Sequence, residues 1–114
     1  MKELTSIFKL LSDDTRLRII LLLYQENLCV CQLSGILEIA QPTISKNLSK
    51  LRDLNLVSDE RKDKFVIYNL RRDHPLLTPI LEQLLQNIDL YPQMKSDALR
   101  LKDKEQYLIT CCPK

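Results

Sequence analysis

Four cysteines stand in two close pairs, Cys29 with Cys31 and Cys111 with Cys112, in a chain whose only histidine is His74. Thiolate sulfur is a soft ligand. In a reducing compartment, thiols set this close read as a site for a soft ion, or as reactive groups, more readily than as a structural crosslink. A second set of residues suits different chemistry. In Gln41-Pro42-Thr43-Ile44-Ser45-Lys46-Asn47, and on through Ser49, Lys50 and Arg52, hydrogen-bonding and basic side chains alternate with apolar ones at helical spacing. Such a face can bond base edges and phosphates. No nucleophile, base and orienting group come together in the sequence, and a single glycine leaves no phosphate-cradling loop, so an enzyme is not expected.

These residues need elements to hold them, and the composition permits a folded domain. The chain has 114 residues, 45% hydrophobic and 28% charged, which suits one domain with a real core. Its net charge of +2 makes it no polycation, so any affinity for nucleic acid must come from local placement. No apolar run approaches the roughly 20 residues that cross a bilayer. The opening Met1-Lys2-Glu3-Leu4 lacks the apolar stretch of a signal peptide, so a cytoplasmic protein with no membrane partner is expected.

Leu4, Ile7, Phe8 and Leu11 recur with the spacing of an amphipathic helix. Ser12-Asp13-Asp14-Thr15 breaks it and offers caps for a second helix, apolar nearly all round and therefore buried, which ends at Gln25-Glu26-Asn27. A short helix from Val30 to Leu37 follows, then a tight connection at Glu38-Ile39-Ala40-Gln41. Pro42 opens the next helix, which runs to about Leu54 and buries Ile44, Leu48 and Leu51. Two short helices so joined form a helix-turn-helix. Leu56–Ser58 and Phe65–Leu70 read as strands around a polar turn, Asp59–Lys64, and a hairpin in this place is a wing. The fold class is thus mainly α with a two-stranded β-wing, a winged helix-turn-helix.

In that fold the start of the second helix of the motif enters the major groove, which gives Gln41, Thr43, Ser45 and Lys46 the best reach to base edges. Asn47 and Ser49 lie on the same exposed side. Lys50, Arg52, Arg61, Lys62 and Lys64 suit phosphates, while Asp59, Glu60 and Asp63 temper the wing's attraction to DNA. A last helix, opened by Pro75 and stopped by Pro92, carries more apolar rows than one small core covers. Leu77, Ile80, Leu81, Leu84, Leu85 and Ile88, with Leu4, Ile7 and Phe8 of the first helix, are expected to form a two-fold interface, making the protein a homodimer that matches paired half-sites on double-stranded DNA. Residues 1–90 would form the DNA-binding and dimerisation domain, and residues 91–114 a helical extension with a Cys-Cys tail.

The stretches Ser12-Asp13-Asp14-Thr15-Arg16-Leu17, Leu28-Cys29-Val30-Cys31-Gln32-Leu33, Gln41–Leu48 and Phe65-Val66-Ile67-Tyr68 resemble the ArsR/SmtB family of metal-responsive repressors, most closely its arsenic-resistance branch. The resemblance covers roughly residues 3 to 75. It implies a winged-helix homodimer that occupies an operator and leaves it when a toxic metal or metalloid binds, with As(III) or Sb(III) as inducer and no organic cofactor. The branch typically shows Leu-Cys-Val-Cys-Asp-Leu-Cys here; this chain keeps Cys29 and Cys31 but has Gln32 for the acid and Ser34 for the third cysteine. Cys111 or Cys112 is then a candidate third ligand, from the same chain or across the dimer. Asp63 stands where the wing often has glycine.

Two residues apart on a helix point roughly 200° away from each other, so both sulfurs would meet one ion only if the helix start unwound. Binding would then disturb the helix that braces the reader. Cadmium or lead at the same thiols, or oxidation of Cys29 and Cys31 without metal, are alternatives. The zinc site of the family's last helix, built from several histidines and carboxylates, is not expected here; His74 beside Pro75 reads as a helix-start residue. From a different class, the domain could bind protein rather than DNA, but Lys46, Lys50 and Arg52 on the exposed face favour DNA.

Overall fold

The computed structural model describes residues 1–107. Helix α1 (Lys2–Leu11) leads to α2 (Asp14–Gln25), which Asp13 caps by accepting the Arg16 backbone N–H at 3.0 Å. The cap satisfies one of the orphan donors of the first turn. Ile19 to Leu23 are all buried, so α2 is the central helix of the core.

Next come a two-residue strand β1 (Leu28–Cys29), α3 (Val30–Leu37) and α4 (Gln41–Asp53). Glu38 closes α3 in the left-handed region, with φ 59 and its N–H on the Ser34 carbonyl. Ala40 then caps α4, and Pro42 takes the second helical position, where its missing N–H leaves no bond unmade. Ile44, Leu48 and Leu51 are fully buried, as their spacing predicts.

Strands β2 (Val57–Lys62) and β3 (Phe65–Leu70) pair antiparallel in the register Val57↔Leu70 to Lys62↔Phe65. The polar turn read over Asp59–Lys64 therefore shrinks to Asp63-Lys64. Every β2 residue after Val57 is exposed, so hydropathy does not mark the strand; the hydrogen-bond ladder makes it. Asp63 has φ 54, the backbone setting that glycine fills most easily and Asp better than most. The sheet also gains a third strand that alternation could not reveal, in the order β1-β3-β2.

Helix α5 (Leu77–Gln86) starts two residues after Pro75 with Leu76 as its N-cap, and His74 Nδ1 accepts the backbone N–H groups of Leu76 and Leu77 at 3.2 and 3.1 Å. After a 3-10 turn at Ile88–Leu90, α6 (Pro92–Arg100) packs on α2 and α3 and buries Met94 in the same core as Ile20 and Leu81. The extension is thus continuous with the domain core as far as it is described. No helix among the described residues is long and apolar enough to cross a membrane.

Candidate thiol site and nucleic-acid interface

Cys29 belongs to two elements at once. It pairs with Ile67 of β3, and it is the N-cap of α3 with extended backbone, φ −95 and ψ 171. Its backbone N–H donates to Gln32 Oε1 at 3.1 Å, while its sulfur faces the Gln32 backbone N–H, the reciprocal arm of a capping box. This corrects the expectation of two sulfurs on opposite sides of one helix. The ladder with β3 holds Cys29 outside the helix, and only Cys31 lies within it. The thiol of Cys29 is free and 2% exposed; Cys31 is 4% exposed. No group of three or more metal-ligating side chains exists among the described residues, and Cys111 and Cys112 lie outside them.

Ser34 occupies the third-thiol position with a structural task. Its hydroxyl donates to the Ile39 carbonyl at 2.5 Å, and the Ile39 N–H donates to the Ser34 carbonyl at 3.2 Å. The pair fixes the connection between α3 and α4. Ser34→Ala is expected to lower unfolding free energy by about 1 kcal/mol in a urea titration, the usual worth of one such bond; an unchanged midpoint would mean that the turn holds without it.

On α4, Thr43, Ser45, Lys46, Ser49, Lys50 and Arg52 are exposed and Gln41 and Asn47 partly so. Asn47 Nδ2 donates to the Thr43 carbonyl at 2.9 Å. Arg52, expected to face phosphate, instead holds Asp59 of β2 at 2.8 Å, tying the end of α4 to the wing. Arg61, Lys62 and Lys64 are exposed on the wing.

The apolar rows divide differently from the expectation. Ile7, Leu77 and Leu81 are buried within the single chain, because one row of α5 and one of α1 already face the core. Leu4 and Phe8 remain 41% and 54% exposed, and Ile80, Leu84, Leu85 and Ile88 are half-buried.

Sequence reading missed a strap laid across α3 by the segment after Pro92. Asp97, 2% exposed, forms a two-bond ion pair with Arg18 of α2 at 2.9 Å for each bond and accepts from Gln93. The Asp97 carboxylate holds the Arg18 guanidinium pKa above its ordinary value, first through these hydrogen bonds. Arg100 donates to the Gly35 carbonyl at 3.0 Å, Gln32 Nε2 to the Lys104 carbonyl at 3.3 Å, and Lys104 Nζ meets Glu26 at 2.7 Å. The Tyr107 ring lies directly on Gly35, where a Cβ would sit 2.1 Å from ring Cδ1. The chain's one glycine, mid-helix where glycine costs stability, was the available signal.

The model of the bacterial regulatory protein arsR family matches residues 13–59, from the cap of α2 into β2. The arsenic resistance transcriptional regulator ArsR1 of Pseudomonas putida is 40% identical over 100 residues, which cover 85% of this chain and 76% of that one. The chain belongs to the arsR family. ArsR2 of the same organism, also named an arsenic resistance transcriptional regulator, is 38% identical over 93% of this arsR-family chain and 95% of its own. The solved structure of AntR, an antimony-specific transcriptional repressor, superposes with a TM-score of 0.66 at 28% identity, covering 81% of this chain and 82% of that one. A family of regulatory proteins on a winged-helix frame, rather than an enzyme, accounts for the exposed α4 face.

Proposed function

We propose that this protein is a metalloid-responsive repressor. It binds operator DNA as a homodimer through α4 and the wing, and it leaves when As(III) or Sb(III) bonds Cys29 and Cys31. The observation that carries the reading is the double membership of Cys29, which joins the wing strand β3 to the start of α3. With both cysteines reduced, as a reducing compartment keeps them, each thiol replaces one hydroxide of arsenous acid; an As–S bond forms, the thiol proton leaves with the hydroxide as water, and arsenic stays trivalent. Drawing the Cys29 sulfur toward Cys31 takes it from the Gln32 N–H and strains the cap. The strain reaches the reader by two routes, through β3 to the wing and through the Ser34–Ile39 turn to α4.

The relatives named for arsenic resistance and the antimony-specific AntR support a metalloid over other soft ions. The exposed Leu4 and Phe8, with the half-buried Ile80, Leu84, Leu85 and Ile88, supply the self-complementary face that a two-fold dimer needs. Titrating the DNA-bound protein separately with arsenite, antimonite, cadmium, lead, zinc and peroxide tests the reading by fluorescence anisotropy. Release should come first with arsenite or antimonite. Release by peroxide alone would replace the metalloid with thiol oxidation.

The basic residues of α4 should separate in the same assay. Lys50→Ala is expected to weaken binding to operator and random DNA alike and to flatten the salt dependence by up to about one unit for the lost phosphate contact. Arg52→Ala should change the salt slope less, since its guanidinium already neutralises Asp59. A larger slope change for Arg52 than for Lys50 would show that the Asp59 pair opens on DNA.

A further inference from the structure

We propose that Gln32 is a positioning residue that carries the metalloid signal from Cys29 to the strap, so that arsenic at Cys29 unlatches Lys104 from α3. This role rests on the reading of Cys29 as a metalloid ligand. It needs only that cysteine, whose thiol is free.

Gln32 is 5% exposed, and both ends of its side chain are engaged. Oε1 accepts the Cys29 backbone N–H at 3.1 Å, and Nε2 donates to the Lys104 carbonyl at 3.3 Å. An amide holds its acceptor and its donor in one rigid plane, so it cannot turn to follow one partner without leaving the other. Lys104 is itself pinned between two helix ends. Its Nζ meets Glu26, the C-cap of α2, at 2.7 Å, and its carbonyl meets the third residue of α3.

When one hydroxide of arsenous acid leaves as water with the Cys29 thiol proton, the new As–S bond brings arsenic and its remaining oxygens to a residue that is 2% exposed. The cap has no room for them. Cys29 shifts outward, its backbone N–H goes with it, and Gln32 Oε1 loses its donor. A groove of about 270 Å³ lies beside this pair, walled in part by Gln32, Lys104 and Ile67, the residue opposite Cys29 in the ladder. The amide therefore has space to turn into, and turning gives up Lys104. The strap loosens at this end, while Arg100 on the Gly35 carbonyl and Asp97 on Arg18 keep α6 in place.

Trypsin reads the latch directly. To cut after Lys104 it must attack the carbonyl that Gln32 holds and seat the side chain that Glu26 holds. Cleavage at that bond, assigned by mass spectrometry, follows the population of unlatched strap. In the fully reduced protein arsenite should raise the rate about fivefold, the worth of one hydrogen bond. Gln32→Met keeps the side chain's length and helix propensity but not its amide, so its rate should start about fivefold higher and stay level with arsenite. Glu26→Gln loosens Lys104 without touching the route. Its rate should start higher and still rise with arsenite by about the parent's factor. A parent rate that arsenite leaves level or lowers, while operator release persists, would overturn the proposal and leave the Cys29 site standing. A full response in Gln32→Met would reduce Gln32 to a static anchor, and a lost response in Glu26→Gln would move the route to the ion pair; either overturns its role. The parent and Glu26→Gln rates decide the matter even where Gln32→Met binds operator poorly. A response that survives Cys29→Ser would place the arsenic elsewhere, overturning the metalloid reading of Cys29 and the proposal with it.

Discussion

Cys29→Ser is expected to hold operator affinity within about twofold of the parent protein and to raise the arsenite concentration for half-release by at least a hundredfold. The first half of that expectation follows from the cap. Serine is among the preferred N-cap residues, so the hydroxyl takes over the Gln32 N–H and the start of α3 is kept. The second half follows from ligand softness, since a serine oxygen does not replace thiolate at a soft centre. A hundredfold shift corresponds to about 2.7 kcal/mol, which is modest for a lost metal–sulfur bond. Cys31→Ser should likewise raise the arsenite concentration for half-release. Anisotropy with labelled operator reads both quantities in one titration. Parental release by the double variant would remove these thiols from the mechanism.

Asp97→Ala should be the most destabilising single change outside the apolar core, by about 2 to 4 kcal/mol. Removing one partner of a buried ion pair leaves the other charge uncompensated, and breaking such pairs costs about 3 to 5 kcal/mol. Arg18 is 19% exposed at its side chain and keeps some water, which lowers the expected cost. Asp97→Asn should cost less, because its amide oxygen still accepts from the guanidinium. Thermal unfolding of the two variants checks the order. An Asp97→Ala protein as stable as the parent would mean that α6 is held by Met94 and its apolar neighbours alone.

The helices were legible wherever burial imposed a period. Val30 to Leu37 emerges with the bounds that the sequence suggested, and Ile44, Leu48 and Leu51 emerge as core, because one stripe of each helix faces the same apolar interior. Phe65–Leu70 was legible from its β-branched and aromatic run. Strand β1 was not, since two residues carry no alternation and its existence depends on Tyr68 and Ile67 arriving opposite. The strap was illegible for a related reason. Arg18 and Asp97 are far apart in sequence, and hydropathy makes a buried, paired aspartate look like a surface one. The doubled rows of Leu77 to Ile88 showed an apolar excess but not its division, so Leu77 and Leu81 were read as interface when they belong to the core. At the candidate site the sequence supplied the thiols and their neighbours. It withheld the extended backbone of Cys29, which tertiary pairing sets.

The burial of Cys29 bears on the tempo of the response. An arsenite molecule in solvent has almost no surface of that sulfur to strike. If arsenite bonds Cys29 as proposed, access requires a local opening such as the fraying of β1 from β3, far smaller than global unfolding and far more frequent. At low inducer the rate of derepression follows concentration, scaled down by the fraction of time the strand stands open. At high inducer it reaches a ceiling set by how often a two-residue strand lets go. On the proposed mechanism that ceiling belongs to the β1–β3 pairing, so a substitution that loosens the pairing of Cys29 with Ile67 is expected to raise it.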